Sequence, residues 1–126
     1  MRPSRYLLIS PYQSLAREIV RASMAQGDEL ALARDSAEAL QYIKYACPDA
    51  VFWEMDGSNE ESVLECRRLR RHSPAPIVML VSPTDRDTVV RGYRLGADAH
   101  IPIPCDRREF TARVAAVVRR SAMAAA

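Results

Sequence analysis

The chain has 126 residues, of which 48% are hydrophobic and 27% are charged, and its formal net charge is +2. This length and composition are typical of one globular domain with a single core, while the charge is too small to indicate by itself binding to nucleic acid or membranes. No apolar run approaches the roughly 20 residues that cross a bilayer, and the first is too short for a signal peptide, so we expect a cytoplasmic protein without a membrane partner.

Short apolar runs alternate with amphipathic stretches in the first half of the chain. Residues 6–9 predict a buried strand, and apolar side chains at helical spacing predict a helix over residues 12–25, ended by Gly27. A second short strand follows at residues 29–33. An acidic pair that resembles a capping box then opens a helix over residues 35–46.

The middle of the chain combines a continuous apolar run with a polar loop and a helix. Residues 50–53 form a continuous apolar run that leads into Glu54, as expected for a parallel strand covered on both faces. A polar loop at residues 56–59 precedes a helix that carries Val63, Leu64 and Leu69.

The last part of the chain repeats the alternation twice. Residues 77–81 predict a buried strand, followed by a helix that starts at residues 82–84 and stops at Gly96. Residues 99–101 predict a final short strand, and apolar residues at helical spacing from Phe110 to Val118 predict the last helix.

About five strand–helix alternations predict an α/β fold, a single three-layer, doubly wound (βα)5 parallel sheet of flavodoxin-like type with the strand order 2-1-3-4-5. We expect one domain over residues 1–120. Residues 121–126 are expected to form a short flexible tail, which could begin a linker to an output domain. Functional residues on such a fold lie beyond the carboxyl ends of the strands.

Five blocks of the sequence resemble the receiver domain of bacterial two-component response regulators. They are residues 48–54, 64–70, 91–98, 102–104 and 108–114. The last two blocks are most similar to the subgroup that joins a receiver to a winged-helix DNA-binding domain. The resemblance implies the same fold, a cis peptide bond before Pro104 and a regulatory role without catalysis.

The positions where this family carries its phosphorylation chemistry all differ. Ser10 and Pro11 stand in place of the acidic pair that binds magnesium, and Glu54 in place of the phosphoacceptor aspartate. Val81 replaces the hydroxyl residue and Ile103 the lysine. Magnesium needs hard oxygen ligands, and phosphoryl transfer needs positive charge, so we expect no metal, no cofactor and no phosphorylation.

Three polar residues near this edge have alternative interpretations. Glu54 is either a built-in mimic of the phosphorylated state or a hydrated acid at a strand end, and we favour the hydrated acid. Asp56 is either an alternative phosphoacceptor or a turn residue. Ser10 is either a hydrogen-bond donor to Glu54 or merely a small strand-end residue, and we favour the latter.

The resemblance also implies a dimer surface made by the fourth helix, last strand and fifth helix. Its expected members are Val89, Tyr93, Arg94, Asp98, His100, Glu109, Arg113 and Arg120. Apolar residues at Val89, Ala99 and Ala115 interrupt the family's ion pairs, so we predict a homodimer with a more apolar interface. His100 replaces an aromatic switch residue; it is either a pH-sensitive contact or a surface histidine without a task.

Arg67, Arg68, Arg70, Arg71 and His72 form the densest basic run of the sequence. It lies at the end of a predicted helix, where cations are favourable, and no aromatic residues are interleaved for base stacking. We therefore interpret it as a solvated helix end and expect no direct contact with nucleic acid.

The leading functional hypothesis is a phosphorylation-independent regulatory receiver that controls transcription through a linked or associated DNA-binding domain. One alternative is a standalone adaptor or small-ligand sensor, in which the emptied acidic pocket holds an apolar or anionic effector. A second is a conventional phosphoacceptor that uses Asp56 or Glu54.

Overall fold

Strands and helices alternate along the part of the chain that this computed structural model describes, residues 3–10, 14–55 and 60–125. Five strands form one parallel sheet in the order β2-β1-β3-β4-β5, which confirms the predicted fold. The elements in chain order are β1 (Arg5–Ile9), α1 (Leu15–Ala22), β2 (Glu29–Ala33), α2 (Ser36–Tyr45), β3 (Ala50–Glu54), α3 (Glu60–His72), β4 (Ile77–Val81), α4 (Arg86–Arg94), β5 (Ala99–Pro102) and α5 (Arg107–Ala125). Within the described residues, no helix is both long and apolar enough to cross a membrane.

Helices cover both faces of the sheet, and this explains the continuous apolar strands. Successive side chains of a strand point to opposite faces. In β3, Val51 and Trp53 pack with α2, α3 and α4, while Ala50 and Phe52 pack with α1 and α5. All five residues of β4 are buried. The core therefore has two apolar layers that are separated by the sheet.

Two helices begin later than the sequence pattern predicts, because a polar side chain caps each of them. Ser14 accepts a hydrogen bond from the Arg17 backbone N–H, so α1 begins at Leu15. Asp85 accepts from the backbone N–H and from the hydroxyl of Thr88, so α4 begins at Arg86. Both are side-chain caps of orphan N–H groups in a first helical turn.

The last helix is longer than predicted. α5 continues to Ala125, so the segment expected to be a flexible tail is helical as far as that residue. Alanine, which dominates this segment, has the highest intrinsic helix propensity. That these residues lead into a linker stays a prediction.

Gly92 lets α4 approach the sheet closely. A Cβ atom at this position would lie 2.0 Å from Sδ and 3.0 Å from Cε of Met79, whose side chain is fully buried in β4. A methyl group does not fit there unless the methionine moves within a packed layer. The pair Gly92 and Met79 thus sets the separation between α4 and the sheet.

We predict that Gly92→Ala destabilises the fold by about 1–3 kcal/mol, because overpacking outweighs the better helix propensity of alanine. In a Met79→Val background, where Sδ and Cε are absent, the same substitution should be neutral or stabilising. Urea denaturation of the four proteins of this cycle measures both effects. An equal cost of Gly92→Ala in the two backgrounds would contradict the proposed contact.

Candidate functional site at the carboxyl edge of the sheet

The parallel register places the family's phosphorylation positions at one edge of the sheet. Ile9 pairs with Trp53, so Ser10 follows β1 at the level of Glu54, the last residue of β3. Val81 ends β4, and its carbonyl accepts a hydrogen bond from the backbone N–H of Ile103 (2.8 Å) just after β5. Ser10, Glu54, Val81 and Ile103 therefore lie at the same edge of the sheet, and their correspondence to the family's phosphorylation positions stays a prediction.

Ser10 and Glu54 are joined directly. The Ser10 hydroxyl donates to Oε1 of Glu54 across 3.0 Å, and both residues are half-buried. The favoured interpretation of Ser10 as a strand-end residue without a contact to Glu54 is therefore wrong. The reason is tertiary: β1 and β3 are neighbours, and a side-chain hydroxyl one residue past β1 lies opposite the carboxylate that ends β3.

The other two described positions of the edge are apolar. Val81 is buried in the layer of α2, α3 and α4, and Ile103 packs against the layer of α1 and α5. The peptide bond between Ile103 and Pro104 is cis, as the resemblance implied. Pro11 and Asp56 lie outside the described residues.

These residues do not fit a magnesium ion. Mg²⁺ is held by one or two carboxylates with further oxygen ligands in octahedral geometry. Of the four described family positions, only Glu54 carries a carboxylate, and it already accepts from the Ser10 hydroxyl. Across residues 3–10, 14–55 and 60–125, no group of three or more His, Cys, Asp or Glu residues could hold a metal.

Tyr93 and His100 form one contact pair on the surface between α4 and β5. The Tyr93 hydroxyl lies 2.7 Å from Nδ1 of His100, and the two rings meet edge to face with centroids 5.6 Å apart. Burial raises the pKa of the Tyr93 hydroxyl above its ordinary value. The hydrogen bond with His100 and the nearby charge of Arg120 lower this pKa, but by less than burial raises it. The hydroxyl therefore stays protonated at neutral pH and can donate to the imidazole.

The rest of the predicted dimer face is less apolar than the sequence suggests. Val89 is half-buried and packs against the core, and Ala99 is buried. The exposed apolar side chains of α4 are those of Val90 and Tyr93, with 48% and 42% of their surfaces accessible. Ala115 is exposed, although it lines a cavity on the other side of α5.

The charged residues of this face are accessible. Arg94 is exposed at the end of α4. On α5, Glu109 accepts from Nη2 of Arg113 across 2.9 Å, an ion pair between residues one helical turn apart. Such exposed pairs contribute little stability and influence the register of an interface more than its affinity.

Known proteins with similar sequences and structures are named as response regulators or transcriptional regulators. The DNA-binding response regulator MtrA of Mycolicibacterium paratuberculosis is 34% identical over 117 residues, which are 93% of this chain and 52% of MtrA. The probable transcriptional regulator ycf27 of Porphyridium aerugineum is 30% identical over 120 residues, 95% of this chain and 50% of that protein. A crystal structure of a putative response regulator from Chloroflexus aurantiacus is 26% identical, covers 94% of this chain and 99% of its own, and superimposes with a TM-score of 0.77.

The chain is a receiver domain of the response-regulator type. No protein-family model matches it. This receiver domain spans about half the length of the two sequence relatives that it matches.

Asp98 of this receiver domain makes hydrogen bonds within its own fold, and its place in the interface stays a prediction. Its Oδ2 accepts from the Ile77 backbone N–H (2.7 Å) and from Nη2 of Arg70 (2.8 Å), which also donates to the Ala75 carbonyl (2.6 Å). One carboxylate thus connects the end of α3 to the starts of β4 and β5. No sequence signal marked this role, because Asp98 lies 28 residues after Arg70 and 21 residues after Ile77.

The arginines of the basic run differ in their exposure, because Arg70 is half-buried and the others are exposed. Arg67, Arg68 and Arg71 are exposed on α3, as a solvated helix end predicts. Arg70 instead reaches under Gly96, where a Cβ atom would lie 3.0 Å from its Cγ. Its guanidinium serves the fold through Asp98 and is not available to a partner.

The three cysteines have different surroundings. Cys66 is fully buried, and burial raises the pKa of its thiol to about 11. Burial also raises the pKa of the half-buried Cys105 thiol, while Cys47 is exposed. Two of the three thiols are thus shielded at least in part from solvent, and the third is open to it.

We predict that Asp98→Ala lowers the free energy of unfolding by about 1–3 kcal/mol, because it leaves the buried Ile77 N–H without its acceptor. Asp98→Asn should cost less, since the amide oxygen still accepts from that N–H. The control is Glu109→Ala on α5, a carboxylate of similar exposure whose ion pair should contribute less than about 1 kcal/mol. Equal losses for Asp98→Ala and Glu109→Ala in chemical denaturation would refute the role of Asp98.

Proposed function

We propose that this receiver domain regulates without taking up a phosphoryl group. The observation that carries the proposal is the hydrogen bond from Ser10 to Glu54, at the edge where the family holds its metal and its phosphoacceptor. A neutral hydroxyl satisfies the carboxylate there in place of a cation. Signalling then depends on contacts with partners, since only differential binding shifts a conformational equilibrium.

The charge balance of the edge supports this proposal. A phosphoryl group brings about two negative charges, and its transfer depends on cations that neutralise the transition state. Val81 and Ile103 supply no positive charge and no hydroxyl. Removal of one such electrostatic contact typically slows a reaction by about 10²–10³-fold, and this edge lacks several.

The geometry also bears on the two interpretations of Glu54. A mimic of the phosphorylated state would attract a hydroxyl from the end of β4, but Val81 has none there. The hydrogen bond of Glu54 goes to Ser10 beside β1 instead. We therefore favour a carboxylate that is satisfied locally over a permanent activating charge.

The output is proposed to be control of transcription. MtrA is named as a DNA-binding response regulator, and the receiver accounts for about half of its length. We propose that a DNA-binding domain, linked to this receiver or associated with it, carries the output, and that the protein works in the cytoplasm, where the DNA is. The receiver itself is not proposed to contact nucleic acid.

Incubation with acetyl phosphate and magnesium tests the loss of phosphorylation directly. We expect no mass increase of the chain by intact mass spectrometry. The matched positive control is the variant S10D/P11D/E54D/V81T/I103K, which restores every family position and should gain one phosphoryl group. A phosphorylated wild-type chain would overturn the proposal, and fragmentation would assign the group to Glu54 or Asp56.

We further propose that the surface of α4, β5 and α5 forms a homodimer. Its support is the exposure of Val90 (48%) and Tyr93 (42%) beside the charged residues Arg94 and Arg113. Two apolar side chains within a charged rim resemble the usual layout of a protein interface. The charged residues would then set the register of the two copies.

Sedimentation at micromolar concentration tests this interface. The wild-type domain or its longer parent protein should form a dimer, and Val90→Asp should shift it to monomer because the charge would be buried without a partner. Leu64→Asp on α3 is the control, since Leu64 is similarly exposed (56%) on another face. Monomeric wild-type domain and parent protein, or equal effects of the two substitutions, would reject this face.

A further inference from the structure

A cavity of about 470 Å³ lies between α1, the start of β1 and α5. Tyr6 lines it, four residues before Ser10, which corresponds to about 13 Å along a strand. The cavity is therefore at the opposite end of the sheet from Ser10 and Glu54. It is also separate from the emptied acidic pocket, where the small-ligand alternative had placed an effector. Its volume lies within the range of about 300–1,000 Å³ that is usual for small-molecule sites.

Aromatic rings form the inner wall of this α1–α5 cavity. The ring centroids of Tyr6 and Phe52 are 5.4 Å apart, and those of Phe52 and Phe110 are 5.5 Å apart. Val20 and Val114 complete the wall, and like the two phenylalanines they are almost fully buried. The wall is therefore apolar and fixed by the core on its far side, which favours a preformed site for a flat apolar molecule.

The cavity is open because α1 ends early. The helical pattern extends to about Ala25, but α1 stops at Ala22, and the hydroxyl of the capping Ser23 donates to the Ile19 carbonyl (2.8 Å). Met24, Ala25 and Gln26 follow without helical structure and line the cavity. On the opposite side, α5 presents the small side chains of Thr111 and Ala115. Because α1 ends before the helical pattern does and the α5 residues opposite it are small, the cavity between the two helices stays open.

The rim of the cavity carries one charge. Among the described residues that line it, the only ionisable acid or base other than Tyr6 is Asp28. Its two oxygens accept from the backbone N–H groups of Ser4 (2.9 Å) and Ala25 (3.0 Å), which hold the carboxylate in place. No described lysine, arginine or histidine lines the cavity, so an anionic ligand would meet a fixed negative charge without compensation.

We propose that the α1–α5 cavity binds a planar, mainly apolar small molecule that is neutral or singly positive. The apolar lining supplies the contact surface, with the half-buried Tyr6 as its accessible ring. Asp28 repels anions and attracts cations, and Ser23 and Thr111 stand at the rim as hydrogen-bonding groups. This site is independent of the proposed loss of phosphorylation, since no residue is shared between the two ends of the sheet.

Three probes with one ring system test the proposal: indole, tryptamine and indole-3-acetate, with charges of 0, +1 and −1 at neutral pH. Titration of each into the ¹⁵N-labelled chain should give saturable shift changes at the amides of Ser23, Gln26 and Ala115 for the first two probes. Indole-3-acetate should bind about tenfold or more weakly than tryptamine, which is a difference of about 1.4 kcal/mol. Equal affinity of those two probes would overturn the charge selection, and no saturable shift for any probe would overturn the site.

A matched pair of substitutions on α5 locates the binding. Ala115→Phe fills the cavity and should abolish the shifts, whereas Ala112→Phe adds the same ring at an exposed position outside the cavity and should leave them unchanged. Thr111→Leu is a second blocking variant if Ala115→Phe does not fold. Binding that persists in a folded blocking variant, or that is lost equally in Ala112→Phe, would refute the proposed site.

Discussion

The parallel register of β1, β3, β4 and β5 is the constraint on which the other features depend. Parallel strands connected by helices are buried on both faces, so their side chains are apolar and polar groups are confined to the ends. Ser10 and Glu54, 44 residues apart, meet only because their strands are neighbours and end at the same level. The same register brings Ile103 to the end of β4 through its hydrogen bond to Val81. A shift of one residue would turn every side chain to the other face and separate these groups.

At the carboxyl edge of the sheet, the Glu54 carboxylate accepts a hydrogen bond from the neutral hydroxyl of Ser10. A carboxylate at the end of β3 needs hydrogen-bond donors or a cation, because an unsatisfied charge that is half removed from water is costly. The Ser10 hydroxyl meets part of that need without a metal. Val81 and Ile103 then pack into the two apolar layers instead of reaching toward a phosphoryl group. The edge is thus integrated into the core, which is consistent with a domain whose state is set by partners at its surfaces.

Prediction succeeded where a property is local and failed where it depends on distant partners. The order of the strands and the cis bond before Pro104 followed from pattern and resemblance. The resemblance placed Asp98 on the interface but gave no sign of its partners Arg70 and Ile77, which lie 28 and 21 residues earlier in the chain. It placed Val89 on the same face, and only the structure shows that Val89 is half-buried against the core.

The amino-acid sequence by itself determined the alternation of strands and helices, the size of the domain and the absence of the family's charged residues from their usual positions. The alternation and the size follow from composition and from periods of two to four residues, whereas the substituted positions are what the resemblance to the family implies. Only the tertiary structure decided that Ser10 donates to Glu54, that Asp98 connects α3 to two strands, and that α1 and α5 leave a cavity between them. Each of these is a contact between segments distant along the chain, and its distance is set by packing rather than by local sequence.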